Sequence, residues 1–319
     1  MSTPSTTKQW TVNGKDGFSS FQFHEKAPLP PLGDNDVLVN FHYASLNYRD
    51  LIIPKGKYPF PTSLPVIPAS DGAGTVLATG PRVTSFHPGD AVLTQFNQTH
   101  QAGLITSADQ GSSTGGAVNG TLTRHGIFPS TALVHKPNNL SFKEASTLPC
   151  AALTAWNALY GLQGRRLMSG DWVLTQGTGG VSIFALQFAK AAGARVIATT
   201  SSENKAEVLK KLGADHVLNY KSTAKWGEEA KKITGTNGGV DHVLEVGGPT
   251  SMAQSLAAIK PEGFEEMVKA YEGGGISNPV TDEKIWGLEE LKEAYGHMWE
   301  QRHFGKVVVK VDDCGGSKL

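Results

Sequence analysis

A glycine-rich turn between a buried strand and an amphipathic helix is the feature that most constrains how this chain can fold. The apolar run 172–174 leads into the turn Gly177-Thr-Gly-Gly-Val181. Beyond the turn, apolar residues recur with helical spacing and predict one buried helix face, formed by Val181, Phe184, Ala185, Phe188, Ala189 and Ala192. A second predicted strand follows over 195–199, with the apolar residues Val196, Ile197 and Ala198 at its centre. Strand, turn, helix and strand in this order predict a βαβ unit whose helix N-terminus can bind an anion.

Each residue of such a turn has its own task. Gly177 lets the chain turn, Gly179 lets the backbone approach a pyrophosphate, and Gly180 lets the helix pack closely on the strand. The spacing departs from a strict G-x-G-x-x-G, so a glycine turn without a ligand is the alternative interpretation. The flanking strand and helix favour a dinucleotide site that includes all five residues of the turn, with Thr178 and Val181 beside the glycines.

The end of the second strand indicates which dinucleotide is bound. A carboxylate that would hold the ribose of NAD is expected about 20 residues after the first glycine. That window holds hydroxyls and then a lysine: Thr200, Ser201, Ser202 and Lys205. These groups suit a 2′-phosphate through charge-assisted hydrogen bonds, although Glu203 would repel it. The sequence therefore predicts NADP(H) in preference to NAD(H). The alternative is that Ser202 and Lys205 are only a helix cap and a solvated helix face.

Composition limits the classes of partner. The chain has 319 residues, with 29 Lys+Arg against 29 Asp+Glu, so nothing favours nucleic acid or an anionic membrane. The polar N-terminus lacks a signal-peptide pattern and no apolar run could span a bilayer, which predicts a cytoplasmic protein. Two cysteines, Cys150 and Cys314, exclude a disulfide framework and a four-cysteine zinc lobe.

The rhythm of the chain changes near residue 150. Residues 9–149 contain short strands and turns, with a polar, glycine-rich stretch over 95–126 that predicts a long surface loop. Helices and strands then alternate, which predicts a doubly wound parallel α/β sheet over 150–277. The predicted β-rich domain comprises 1–149 together with 278–319. Predicted elements of the second domain are helices 145–160, 203–212 and 251–259 and strands 216–219 and 240–246.

Several motifs resemble the medium-chain dehydrogenase/reductase superfamily. They are Ser45-Leu-Asn-Tyr-Arg-Asp-Leu51, Gly56-Lys-Tyr-Pro59, Leu64-Pro-Val-Ile-Pro-Ala-Ser-Asp-Gly-Ala-Gly-Thr-Val76, the glycine turn 177–181, and Phe304-Gly-Lys-Val-Val-Val-Lys310. The pattern is similar to the zinc-free branch of quinone oxidoreductases and alkenal or enoyl reductases. This resemblance implies a Rossmann domain joined to a GroES-like substrate domain.

The resemblance also bears on zinc. Zinc alcohol dehydrogenases of this superfamily carry a cysteine and a His-Glu pair at the positions of Asn47, Ser70 and Asp71. Cys150 matches the remaining cysteine ligand. One thiolate cannot form a catalytic site that needs three protein ligands, so we expect no metal and expect Cys150 to be a packed helix-start residue.

For a zinc-free member the resemblance implies hydride transfer from NADPH to an activated C=C bond of an enal or enone, or to a quinone. Asn47 could donate to the substrate carbonyl or order the nicotinamide ribose, and Tyr58 could line the pocket or relay a proton. Both could equally be ordinary polar loop residues. Arg49 and Asp50 are expected to form an internal ion pair or to hold backbone. Residues implied to line the cofactor are Tyr48, Thr154, Tyr220, the turn Val246-Gly247-Gly248, Gly305 and Lys306.

One departure from the family pattern is large. After helix 251–259, Lys260-Pro-Glu-Gly263 leads directly into a predicted helix over 264–272, where relatives have a fifth strand. A βαβ unit takes about 30 residues or more, so a segment of that order is missing after residue 263. A lost exon, a gene-model error or natural shortening would each explain this.

The sheet order 3-2-1-4-5-6 would then stop at strand 4 with an exposed edge, and the homodimer of relatives would be compromised. Two functional classes stay open, an NADPH-dependent enone or quinone reductase and a non-catalytic relative that at most binds nucleotide. A zinc alcohol dehydrogenase is the third interpretation.

Overall fold

A computed structural model of the protein describes residues 3–260 and 281–311, apart from the side chain of Asn237. The chain divides into two units, Met1–Cys150 with Thr281–Leu319 and Ala151–Val280. The sequence placed the two boundaries after residues 149 and 277.

The strands and helices follow each other in an order that differs between the two units. Up to residue 150 the elements are β1 (Thr6–Val12), β2 (Phe21–Pro28), β3 (Asp36–Ser45), α1 (Tyr48–Ile52), β4 (Asp71–Thr79), β5 (Ala91–Thr94), α2 (Ser107–Gln110), β6 (His125–Pro129), β7 (Leu133–His135) and α3 (Phe142–Ala145). They continue with α4 (Leu153–Tyr160), β8 (Trp172–Gln176), α5 (Gly180–Ala191), β9 (Arg195–Thr200), α6 (Glu203–Lys211), β10 (His216–Asn219), α7 (Trp226–Ile233), β11 (His242–Leu244), α8 (Pro249–Ala258), β12 (Thr281–Gly287), α9 (Leu291–Trp299) and β13 (Lys306–Lys310).

The first unit is built around one large sheet. Its described strands run in the order β12-β13-β3-β4-β5-β7, and β6 also pairs with β3. The inward side chains of β3, among them Val37, Val39 and Phe41, belong to its buried apolar core. Strand β13 pairs antiparallel with β3, with Val308 opposite Ser45, and the Leu46 N–H donates to the Val307 carbonyl at 3.1 Å. Because of this pairing, Lys306 lies next to the end of β3, where α1 begins.

The stretch 95–126 is not the surface loop that the sequence predicts. Thr114 and Thr121 are completely buried, and exposure is mainly limited to residues 101–111. The Gly120 N–H donates to the Ile67 carbonyl at 2.8 Å, and a Cβ on Gly120 would lie 1.9 Å from the Ala69 carbonyl oxygen. The prediction is wrong because these glycines allow backbone to pack on backbone, whereas the same glycine-rich, polar pattern is also typical of exposed loops.

The second unit contains the predicted parallel sheet. Its described strands run in the order β10-β9-β8-β11, all neighbours parallel, which is the expected order 3-2-1-4. Residues 182–189 of α5 are all buried, so the helix is enclosed by the sheet and α4 instead of burying the single predicted face. The predicted helix 145–160 is also interrupted, since α3 ends at Ala145 and a π-helical turn, Leu148–Ala152, precedes α4. Pro149 lies in this turn and has no N–H for a regular helical bond.

Strand β11 is shorter than the predicted strand 240–246. Before it in the chain, Val240 forms a parallel bridge with Ile259, with the Lys260 N–H donating to the Val240 carbonyl at 3.0 Å. The predicted helix 264–272 and the position of the missing strand lie outside the described residues. In residues 3–260 and 281–311, no helix is long and apolar enough to cross a membrane.

Candidate functional site

The junction between β3 and α1 presents the first group of candidate residues. Asn47 precedes α1, and its backbone N–H donates to Asp50 Oδ2 at 2.7 Å. This bond satisfies a backbone donor at the start of the helix, as in a capping box. Asn47 is 8% exposed.

The Asn47 side chain lies between a lysine and a serine. Lys306 Nζ donates to Asn47 Oδ1 at 2.5 Å and to the Leu46 carbonyl at 2.7 Å. Asn47 Nδ2 lies 3.4 Å from Ser70 Oγ, and Ser70 Oγ donates to Asp71 Oδ1 at 2.6 Å. Four side chains from three separate parts of the sequence therefore form one hydrogen-bonded chain.

Burial controls the protonation of the acidic groups here. Burial raises the pKa of Asp71, and the Lys306 ammonium and the hydrogen bond from Ser70 oppose that rise. Burial also raises the pKa of Asp50 to about 6, against the attraction of Arg49. Desolvation and the charge of Asp71 raise the pKa of the Cys150 thiol to about 12, so this cysteine is protonated and unreactive at neutral pH.

These residues do not fit a catalytic zinc ion. Asn47 and Ser70 supply neutral amide and hydroxyl groups, and the backbone N–H of Cys150 donates to Asp71 Oδ2 at 3.3 Å. A zinc ion needs thiolate, imidazole or carboxylate ligands, and here it would have to bind beside a buried ammonium. In the described parts of the chain, no three or more His, Cys, Asp or Glu side chains are arranged to hold a metal ion.

Arg49 and the tyrosines form a second feature of this unit. Arg49 donates to the Thr114 carbonyl at 2.5 Å, and its guanidinium lies 5.1 Å from the Tyr58 ring and 4.6 Å from the Phe96 ring. Of the two roles expected for Arg49 and Asp50, the structure shows that both residues hold backbone. Tyr58 is half-buried against Arg49, and Tyr48, at the first position of α1, is 66% exposed.

The glycine turn of the second unit fits a dinucleotide. Gly177 has φ +73°, a conformation that residues with a Cβ rarely adopt, and its N–H donates to the Thr199 carbonyl at 2.8 Å. A Cβ on Gly177 or on Gly179 would meet no atom within 4 Å, so the space above the turn is open. Gly179 caps α5, whose first turn has no acidic residue, so its free N–H groups can bind a pyrophosphate.

The end of β9 contains the hydroxyls expected to recognise the adenosine end. Ser202 caps α6 by accepting from the Lys205 N–H at 3.5 Å, and Thr200 Oγ1 accepts from the Ser202 N–H at 3.3 Å. Thr200 is buried, whereas Ser201 and Lys205 are partly exposed. Asn219 donates to Glu203, so the carboxylate expected to repel a phosphate is held towards β10.

A network at the carboxyl ends of β8 and β11 was not predicted from the sequence. Gln176 Nε2 donates to Glu245 Oε2 at 2.8 Å, and Gln176 Oε1 accepts from the N–H groups of Val246 and Gly247 at 3.1 and 3.0 Å. Glu245 Oε1 accepts from the N–H groups of Gly247 and Gly248 at 2.8 and 2.9 Å. The network fixes the turn 246–248, which the family pattern assigns to the cofactor. The signal available in the sequence was a glutamine and a glutamate at the ends of two neighbouring apolar strands.

The structure brings some of the predicted residues together and separates others. Asn47 and Lys306 are joined by a hydrogen bond. The Gly247 N–H donates to Gln176 beside the glycine turn, and the Tyr220 N–H donates to the Thr200 carbonyl at 3.0 Å. Thr154 lies exposed on α4, and Gly305 precedes β13 with φ +73°. Lys306, predicted to line the cofactor, is 4% exposed, and its ammonium donates to two oxygens of its own unit.

Comparisons with known proteins agree with this architecture. The Alcohol dehydrogenase GroES-like domain model matches residues 33–138, and the Zinc-binding dehydrogenase model matches residues 180–268. A zinc-type alcohol dehydrogenase-like protein of Schizosaccharomyces pombe is 42% identical over 338 residues, which covers 93% of this chain and 96% of the relative. That alignment is longer than the 319 residues of the chain, so it contains positions of the relative without a counterpart here.

Two further relatives cover almost the whole chain. The 2-methylene-furan-3-one reductase of Solanum lycopersicum is 29% identical, and the match covers 97% of this chain and 80% of the relative. A crystal structure of a Sinorhizobium meliloti 1021 protein assigned as an alcohol dehydrogenase has a TM-score of 0.84 and 33% identity, covering 97% of this chain and 100% of that one. The predicted combination of a Rossmann unit with a GroES-like unit is confirmed.

Proposed function

Since the chain belongs to the medium-chain dehydrogenase/reductase superfamily, we propose that it is an NADPH-dependent oxidoreductase that reduces an enal, an enone or a quinone without zinc. The observation that carries this proposal is the chemistry of the four side chains at the zinc-ligand positions, Asn47, Ser70, Asp71 and Cys150. Asn47 and Ser70 carry a neutral amide and a neutral hydroxyl, and the buried ammonium of Lys306 donates to Asn47.

Since Asn47 and Ser70 cannot serve as zinc ligands, the two remaining groups are too few for a catalytic zinc site, and this favours particular substrates. A simple ketone or alcohol needs strong polarisation of its oxygen, which zinc provides as a Lewis acid. A conjugated carbonyl or a quinone is already electrophilic, and hydrogen bonds to its oxygen are enough to stabilise the developing enolate. Asn47 can make such a bond through its amide N–H, and Tyr58 is the candidate for lining the pocket. The name of the tomato relative describes a methylene group conjugated with a ring ketone, which is a substrate of this type.

The second unit supports NADP(H) as the dinucleotide. The open glycine turn and the N-terminus of α5 would hold the pyrophosphate, and the group around Ser201 and Lys205 would hold the 2′-phosphate. When bound, the dinucleotide supplies the hydride. The network of Gln176 and Glu245 keeps the turn 246–248 in place beside it.

NADPH oxidation by purified protein tests this proposal. We expect oxidation with enals, enones or quinones, no oxidation of primary alcohols with NADP⁺, and no loss of activity after exhaustive chelation. Metal analysis of the same sample should find less than stoichiometric zinc. Asn47→Ala should lower kcat by about 10²-fold if the amide supports the enolate.

Two outcomes favour other functions. Stoichiometric zinc that is lost together with alcohol dehydrogenase activity would establish the zinc interpretation and make Cys150 a ligand. NADPH binding without reduction of any member of the substrate panel would favour the non-catalytic interpretation.

A further inference from the structure

Lys306 is a buried cation that the expected chemistry does not use. We infer that Lys306 is a positioning residue that orients the Asn47 amide so that an N–H group of Asn47 donates to the oxygen of the substrate. This inference rests on the proposed reductase function and assigns the group that prepares its hydrogen-bond donor.

Lys306 can only donate hydrogen bonds to Asn47. An ammonium has three donors and no acceptor, so the atom of Asn47 that faces Lys306 at 2.5 Å must be the amide oxygen. The orientation of an asparagine amide is otherwise hard to fix, because its oxygen and nitrogen have the same shape. Lys306 therefore places both N–H groups of Asn47 on the side away from itself.

The hydrogen bonds between Lys306 and Asp71 all point in one direction. Lys306 donates to Asn47, Asn47 Nδ2 faces Ser70 Oγ at 3.4 Å, and Ser70 donates to Asp71 at 2.6 Å. Each donor polarises the group that accepts from it, from the Lys306 ammonium at one end to the Asp71 carboxylate at the other. Hydrogen bonds aligned in this way strengthen one another inside a protein.

The Asn47 N–H groups are only weakly held. The Nδ2 atom carries two hydrogens, which face the Asp71 carboxylate and Ser70 Oγ, and the contact with Ser70 at 3.4 Å is long for a hydrogen bond. The N–H that faces Ser70 is the donor that a substrate oxygen can take over. The ammonium on the amide oxygen withdraws electron density, so this N–H becomes a better donor as negative charge develops on the substrate.

The position of Lys306 depends on the fold and excludes a simple surface role. The bond between the Leu46 N–H and the Val307 carbonyl holds β13 against the end of β3, and Lys306 also donates to the Leu46 carbonyl. These two bonds hold the ammonium beside Asn47. Lys306 is 4% exposed, so its ammonium is enclosed among groups of its own unit.

Kinetics of four variants of the full chain test the inference: Lys306→Met, Lys306→Arg, Asn47→Ala and the double variant Lys306→Met/Asn47→Ala. Lys306→Met should lower kcat with an enone by about 10- to 100-fold with little change in the Kd for NADPH, and Lys306→Arg should recover part of the loss. The double variant should be no slower than Asn47→Ala alone, because the lysine acts through the amide. Lys310→Met, on the same strand, is the control and should keep the activity of the unmutated protein.

A measurement without substrate separates this inference from the proposed function. Selective ¹⁵N labelling of asparagine gives an NMR signal for the Asn47 side-chain amide, and Asn47→Ala assigns it. The chemical shift of this signal should change in Lys306→Met and stay the same in Lys310→Met. If the unmutated protein reduces no substrate but the signal moves, the orientation of Asn47 by Lys306 holds and the reductase proposal fails.

If the protein is active but neither the signal nor kcat responds to Lys306→Met, the inference fails and the reductase proposal stands. A loss of NADPH affinity equal to the loss of kcat/KM would instead assign Lys306 to the cofactor and overturn the inference. Additive effects in the double variant would also overturn it.

Discussion

Gln176 and Glu245 are 69 residues apart in the chain, and the Gln176 amide donates to the Glu245 carboxylate at 2.8 Å. They stand at the carboxyl ends of two neighbouring parallel strands, where ligands bind in doubly wound sheets. Glu245 also accepts from Ser251 Oγ at 2.7 Å and from Ser255, both on α8. One carboxylate thus joins two strands and the helix that follows them.

Replacing Glu245 by glutamine should destabilise the protein by about 2 kcal/mol, since the new NH₂ group would face donors and the charge-assisted bonds would be lost. Urea unfolding followed by tryptophan fluorescence measures this change. Glu228→Gln removes an exposed ion pair with Lys225 and should cost less than about 1 kcal/mol. Equal effects of the two substitutions would show that the network contributes little.

The pH dependence of this difference has a defined sign. Burial tends to raise the pKa of Glu245, but the hydrogen bonds from Ser255, Ser251 and Gln176 outweigh it and the net shift is downward from 4.5. A lowered carboxyl pKa adds stability above pH 4.5 that is lost as the pH falls through the folded value. The difference between the unmutated protein and Glu245→Gln should therefore shrink in acid.

The sequence predicts the second unit well because its signals are local. The glycine turn, the apolar strands and the cap at Ser202 each depend on residues close together in the chain, and β8, β9 and β10 lie where the pattern placed them. The bonds from Gln176 to Glu245 and from Lys306 to Asn47 could not be derived in this way. Their partners are brought together by strand pairing, and a single sequence does not encode the register of distant strands in any local pattern.

Asp50 should make the free energy of unfolding decrease as the pH rises from about 4 to about 6. Burial raises its pKa from 3.8 to about 6, so the folded state binds the proton more tightly than the unfolded state does. Stability contributed by the protonated form is lost as the pH rises to about 6 and does not change above it. Asp50→Asn should remove this dependence and gain stability relative to the unmutated protein between pH 4 and pH 7.

Unfolding curves at several pH values test this sign. Asp109, whose pKa is lowered by hydrogen bonds from Thr106, is the control of opposite sign. Asp109→Asn should lose stability relative to the unmutated protein as the pH rises. Parallel curves for Asp50→Asn and the unmutated protein would contradict the assignment.

Lys205→Ala should weaken NADPH binding by about 1.5–3 kcal/mol and leave NADH binding unchanged, because the lysine is expected to make a charge-assisted bond to the 2′-phosphate only. Fluorescence titration with both dinucleotides measures the selectivity. Lys210→Ala, which removes a lysine of the same helix that is paired with Glu207, should change neither affinity. Equal affinities of the unmutated protein for NADH and NADPH would overturn the preference.

The chain as it stands should be prone to aggregation and should not form the homodimer of its relatives. In the described residues the parallel sheet ends at β11, where the bridge between Val240 and Ile259 is the one pairing on the outer side. Val246, just beyond β11, is 50% exposed. A strand edge without a partner exposes backbone N–H and C=O groups that pair with other chains. The alignment with the fission yeast relative, longer than this chain, agrees with a missing segment.

Expressing this form beside one with a strand–helix–strand segment inserted after Gly263 tests the prediction. The longer form should scatter less light, form a dimer and oxidise NADPH faster with an enone, because a fifth strand adds backbone contacts that fix the reacting geometry. Val246→Lys in the short form should reduce aggregation without restoring activity, since a charge blocks pairing at an edge but does not rebuild the sheet. A monodisperse and fully active 319-residue protein would show that residues near Gly263 complete the sheet in another way.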